Sequence, residues 1–284
     1  MLKGTLLALT SAVTWALANV AIQGATRRIG SWPALVWAQL IGALLAALAA
    51  LIIDGVPRTA GGYAAVALAA VAGLAAYAGL FESLRRGQVA VVTPIISAWS
   101  VVSVLVAIFY LGEPITWPRA AGIAAVLIGN VLVTRGGAAS SSGGTPRSAL
   151  AWALLAMLGF GLMVPGVEAA GQHFGRLWAV PAVWLAELAL AIPLLGWLGL
   201  LRRPRDRKDW SEVSKAAICE AAGFIAISLA LGAAPVAVVS PIASLSTAGS
   251  VLLGVFVLRE RLPRQVLIGA TLACAGLVLV NVTY

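Results

Sequence analysis

The stretch Ala90-Val91-Val92-Thr93-Pro94-Ile95-Ile96-Ser97 is written a second time, 147 residues on, as Ala237-Val238-Val239-Ser240-Pro241-Ile242-Ala243-Ser244. The register holds without a gap from residues 90–133 onto 237–280, so that Glu113 meets Glu260, Gly122 meets Gly269 and Gly129 meets Gly276. Both copies are almost wholly apolar, which describes a duplicated membrane unit. Many transport proteins use such duplication to set a solute site between two halves.

Composition points the same way. Hydrophobic residues make up 61% of the chain and charged residues 10%, with a mean hydropathy of +1.00; soluble domains carry roughly 25% charged residues. The chain is therefore an all-α polytopic membrane protein. Its net charge of +9 does not argue for nucleic acid, because the basic residues sit in short loops between apolar runs and form no groove-sized face. Loop cations of this kind orient the chain and meet anionic lipid headgroups. Cys219 and Cys274 lie in apolar segments, where a soft buried side chain is the usual role. The first apolar segment contains Ala16-Leu17-Ala18 and has the look of a secretory signal. It is also the counterpart of residues 149–168, and on that ground it is kept as a spanning helix.

A helix crosses the hydrocarbon with about 20 apolar residues. That length predicts spans at 2–22, 34–53, 63–84, 89–110, 118–135, 149–168, 179–200, 213–232, 236–257 and 264–283. Residues 136–148, rich in Gly and Ser, form a flexible linker by composition. The expected organisation is ten transmembrane helices: a five-helix repeat at 1–135, the linker, and a second five-helix repeat at 149–284. Five is odd, so the second repeat enters the membrane from the opposite side. The two become inverted repeats around a central cavity. With the amino terminus outside, fifteen Lys and Arg fall in cytoplasmic loops and only Lys3, Arg58, Arg119 and Arg176 outside. Both termini are accordingly predicted to be periplasmic.

Candidate site residues follow from polar groups inside apolar spans. Thr93, Ser97, Ser100 and Ser103 in the fourth span match Ser240, Ser244, Thr247 and Ser250 in the ninth, at spacings of 4, 3 and 3 that keep the hydroxyls on one broad face. Small hydroxyl residues also let membrane helices pack closely. Pro94 and Pro241 tilt the reading towards a site, because each removes a backbone hydrogen bond at a matching place and is a candidate kink or gate. The first helix carries Ser11, Trp15, Asn19 and Gln23 at successive spacings of four, a face whose amides suit an interior or water-filled cavity. Tyr77 and its register mate Phe224 add aromatic walls. Trp99 points about 100° or more away from the Ser97 and Ser100 direction on an unkinked helix, so it flanks the cavity or packs elsewhere. Among the carboxylates only Glu187 and Glu220 lie deep in spans, and they are candidates for proton coupling. Glu82, Glu113, Glu168 and Glu260 lie at span ends, while Trp32, Trp117, Trp152, Trp178 and Trp210 read as interfacial anchors. His173, the sole histidine, falls in the loop after the sixth span, and no metal-ligand or catalytic constellation, and no cofactor motif, is found in the sequence. No Lys or Arg stands in the middle of a span, which argues against phosphorylated cargo.

Ten helices in two inverted halves, each with a Pro-kinked fourth helix, a loop opening on Glu113-Pro114 or Glu260-Arg261 and a Gly-spaced last helix, resemble the drug/metabolite transporter superfamily in its ten-helix EamA-type branch. The resemblance covers essentially the whole chain. It implies an exporter of small metabolites, often amino acids, in the bacterial inner membrane; the expected protein is a monomer, with membrane lipid and a small-molecule substrate as its partners. Trp15, Tyr77 and Trp99 are similar to cavity residues of the branch's aromatic and hydrophobic amino-acid exporters. The four-helix multidrug members carry a glutamate in their first helix, and this chain has Trp15 and Asn19 there instead. Rival expectations are a proton-coupled multidrug or cation exporter and a non-transporting intramembrane scaffold or enzyme.

Overall fold

The structure is a computed structural model. It describes residues 2–57, 61–87, 92, 95–96, 98–109, 116–138, 146–246, 248–249 and 264–282. Among these residues the helices are α1 (Leu2–Ile29), α2 (Ser31–Ile53), α3 (Tyr63–Arg86), α4 (Trp99–Phe109), α5 (Trp117–Ala138), α6 (Arg147–Phe174), α7 (Ala179–Trp197), α8 (Arg207–Leu231), α9 (Val236–Ala243) and α10 (Arg264–Val282). Six of them, α1, α2, α3, α6, α7 and α8, are long and apolar enough to cross a membrane.

Their outward faces carry the large aliphatic side chains. On α1, Leu6, Val13, Leu17 and Val20 are exposed while Ala8, Ala12, Ala18 and Ala21 are buried. This sorting suits a lipid environment, where no hydrophobic force joins helices and small residues at the contacts let backbones approach. The chain is an integral membrane protein.

Three helix pairs form the frame: α1 with α8, α3 with α6, and α5 with α10. Glycines set two of these contacts. A Cβ at Gly79 would lie 2.6 Å from the backbone of Trp152 and Ala156, and one at Gly159 would lie 2.6 Å from Ala76 N. At the α5–α10 crossing, Gly129 abuts the Gly269 carbonyl and Gly276 the Gly122 carbonyl. The Gly122/Gly129 and Gly269/Gly276 spacing thus closes a contact within one chain.

Several helix contacts recur when helices of α1–α5 are exchanged for those at matching places in α6–α10. The α1–α8 contact maps onto α6–α3, α2–α8 onto α7–α3, and α1–α9 onto α6–α4, and all occur. Directions can be traced from the ends. Gly4 at the start of α1 meets Ala233 and Ala234 after α8, and Arg28 at its end pairs with Asp209 at the start of α8. Gly87 after α3 meets Ala149 at the start of α6, and Tyr63 at the start of α3 stacks on Phe174 at the end of α6. Helix α8 therefore runs opposite to α1, and α6 opposite to α3.

Several elements differ from the sequence expectation. Helices α1 and α6 continue beyond the expected span ends to Ile29 and Phe174. His173 consequently lies in the last turn of α6, beside Gly61 and Gly62, and not in a loop. A single residue joins α1 to α2: Gly30 at φ 89°, a conformation that favours glycine. The fourth and ninth spans are not continuous helices. Helix α9 stops at Ala243, two residues after Pro241, and a turn at 244–245 follows with Leu245 N donating to Ile242 O over 3.1 Å. The register mate of that bond is present in the first half, where Ala98 N donates to Ile95 O over 3.2 Å just before α4 begins. A proline that removes one ladder bond favours such a tightened turn. Pro94, Ser97, Glu113 and Glu260 lie outside the described residues.

Candidate solute site

The middle of the bundle holds a small cavity of about 50 Å³ lined by Trp15, Asn19, Leu80, Ile96, Trp99, Phe160, Val164, Glu220, Phe224 and Ser246. Those residues come from α1, α3, α6, α8 and the two interrupted segments around α4 and α9.

The aromatic wall is built outward from Trp15. Its ring meets Phe224 edge-on at 4.9 Å between centroids and Trp99 at 6.1 Å. Gly223 makes the approach of α8 possible, since a Cβ there would lie 2.5 Å from the Trp15 ring. Phe224 in turn packs on Trp184 at 5.2 Å. Tyr77 does not line the cavity. It stands one layer behind, against Phe160 at 5.2 Å and Phe224 at 6.4 Å, with its hydroxyl donating to Glu220 Oε2 over 3.1 Å.

Of the residues singled out from sequence, Trp15, Asn19, Trp99, Phe224 and Glu220 come together in this cavity. Ser11 and Ser244 are fully buried elsewhere; Ser244 Oγ donates to Pro241 O over 2.7 Å. Ser103, from the same hydroxyl stripe, donates to Gly161 O over 3.0 Å. These described members of the stripe bond into the fold, as small hydroxyl residues do between membrane helices. Pro241 is buried within α9.

Glu187 sits apart from the cavity. Gln39 Nε2 donates to its Oε2, while Trp184 stands one turn earlier on α7. Its Oε1 has no hydrogen-bond partner and lies over Gly73, where a Cβ would collide with it. The other two buried carboxylates among the described residues are ion-paired: Glu82 with Arg85 and Arg86, and Asp209 with Arg28. At the same end of the bundle, Trp37 Nε1 donates to Arg202 O over 3.0 Å and Arg86 stands over the Trp152 ring. Cations from α1, α3 and the α7–α8 connection are thus gathered on one end.

Sequence reasoning missed Leu80, Ile96, Phe160, Val164 and Ser246. The apolar four give no contrast inside apolar spans. Ser246 had a readable signal: it is the register mate of Trp99, 147 residues on. On an unbroken helix it would stand about 200° from Ser244, and the turn at 244–245 is what removes that constraint. The turn at Ala98 does the same for Trp99.

No curated protein matches this chain. Among solved structures, one described only as "Crystal structure of protein" is similar with a TM-score of 0.80 at 18% identity, covering 99% of this chain and 99% of that one. A likeness at that identity speaks for the fold alone. The EamA-like transporter family matches twice, over residues 2–135 and again over residues 147–282. With both halves of the sequence accounted for in this way, the chain belongs to the EamA-like transporter family.

Proposed function

We infer that the protein exports small amphipathic solutes, with aromatic and hydrophobic amino acids foremost, from the bacterial cytoplasm by alternating access. The observation that carries this reading is the mid-bundle cavity, with four aromatic side chains, one amide, one hydroxyl and one carboxyl in its wall. Aromatic faces hold an apolar body by stacking, and the few polar groups fix its orientation.

The moving parts are two inverted five-helix repeats, 1–135 and 149–284, joined by the linker at 136–148, and ten helices in all cross the membrane. Supporting this are the double family match and the helix contacts that recur on exchange of the halves. Two halves of nearly equal energy can exchange arrangements without new contacts. Paired turns at Ala98 and Leu245, beside the lining residues Trp99 and Ser246, are the hinges of that exchange. The basic end of the bundle faces the cytoplasm, so both termini are periplasmic. The protein works as a monomer.

Glu220 in the cavity wall favours a second reading, a proton-coupled exporter of organic cations, because a carboxylate facing solute is the group such an exporter needs. One experiment addresses both. Purified protein in liposomes is screened for uptake of labelled amino acids and organic cations, with and without an imposed pH gradient. Uptake of hydrophobic amino acids above that of empty liposomes is the expected result. Cation uptake that requires the gradient would select the second reading, and no uptake of any solute would remove both.

A further inference from the structure

Resting on the transporter reading, the next question is which charged group of the solute the cavity recognises. The described lining residues include one carboxyl, Glu220, and no Lys or Arg. The ion pairs among the described residues use Arg28, Arg85, Arg86 and Lys215, and none reaches Glu220. Its hydrogen bond is to Tyr77, a neutral donor on a different helix, which fixes the carboxyl without neutralising it. Around it stand Trp15, Trp99, Phe160 and Phe224, with the rings of Trp15, Trp99 and Phe224 set edge to face.

A carboxylate attracts a cation, and the negative faces of aromatic rings do so too, most strongly where water is excluded. A solute carboxylate has the opposite fortune. It meets Asn19 and Ser246 as neutral donors and a carboxyl of its own sign. We propose that this cavity selects solutes by a protonated amine, which lodges between Glu220 and the Trp15, Trp99 and Phe224 rings, and that a carboxylate on the solute is dispensable. The substrate class is then organic amines with an apolar or aromatic body, of which amino acids are the members that also carry a carboxylate.

The test compares solutes that share a phenyl body and differ in charge: phenylalanine, 2-phenylethylamine, its N-trimethylated cation, and 3-phenylpropionate. Binding to the purified full chain is measured by isothermal titration, and entry of the permanently charged N-trimethyl compound into proteoliposomes is measured directly. Both compounds lacking the carboxylate should bind at least as tightly as phenylalanine, 3-phenylpropionate at least about tenfold more weakly, and Glu220→Gln should weaken amine binding by about tenfold or more. The comparison of solutes uses the unaltered protein, so it holds even where Glu220→Gln fails to fold. Binding of 3-phenylpropionate equal to that of 2-phenylethylamine overturns the proposal while leaving an exporter of other selectivity standing. Failure of all four to bind also overturns it, and the liposome screen then decides separately whether the chain transports anything.

Discussion

Among the described residues, two carboxylic acids, Glu187 and Glu220, are buried deep in membrane spans, and their surroundings are opposites. Glu220 is held by Tyr77 and forms part of the cavity wall; Glu187 is held by Gln39 and is closed off above Gly73, away from the cavity. Each takes its hydrogen bond from a neutral side chain contributed by α2 or α3, so partner chemistry does not separate them. Access does. A buried ionisable group in a membrane span is by default a functional candidate, yet only one of these two lines the cavity. The other ties α7 to α2, with α3 passing so close that glycine alone leaves room for the acid.

That contrast can be broken most forcefully at Gly73. A valine there drives a branched side chain into Glu187 and towards Met163 Sδ. Overpacking of this kind costs typically 1–3 kcal/mol, and Gly73→Val should lower the thermal stability of the detergent-solubilised protein accordingly. Glu187→Ala in the same chain should restore part of the loss, because the two residues share one volume and their effects cannot be additive. An unchanged melting temperature in Gly73→Val would mean that Glu187 is not enclosed.

A conservative change sharpens the same contrast. Glu187→Gln keeps the volume and a group able to bond Gln39. Solute affinity should then stay within about twofold of the parent, a difference well under 1.4 kcal/mol, when measured by the titration used for Glu220→Gln. A loss matching that of Glu220→Gln would return Glu187 to the solute pathway as a coupling residue.

Much of this was legible in the letters, and what was not has a physical cause. The duplication, the apolar spans and the depth of Glu187 and Glu220 follow from composition and spacing, because membrane helices must satisfy their own backbone and exclude charge. Trp15, Asn19 and Phe224 were legible as polar or aromatic exceptions in spans that carry few. The hydroxyl stripe misled in part, since Ser103 and Ser244 bond to the carbonyls of Gly161 and Pro241, and sequence carries no mark distinguishing a hydroxyl that packs from one that lines. Ser246 was missed, and Trp99 was read as flanking the cavity or packing elsewhere, on the assumption of an unbroken helix. Helical phase is a long-range inference, and one turn at Ala98 or Leu245 resets it for every residue that follows. Tyr77 was placed one layer too far in, because a residue touching three aromatic neighbours and one touching a solute obey the same pattern.

The smallest effect tests that second layer. Tyr77→Phe removes one hydroxyl and leaves the ring packed on Phe81, Phe160 and Phe224. Loss of a single neutral donor costs about 0.5–1.5 kcal/mol, so the melting temperature should fall slightly. Glu220 would lose its tether, and a freely rotating carboxyl pays more entropy when it closes on an amine. Amine affinity should therefore drop severalfold, less than in Glu220→Gln, while the weak binding of 3-phenylpropionate stays as it was. A gain in affinity would mean instead that Tyr77 competes with the solute for Glu220 Oε2, making the hydroxyl a gate that the amine must displace.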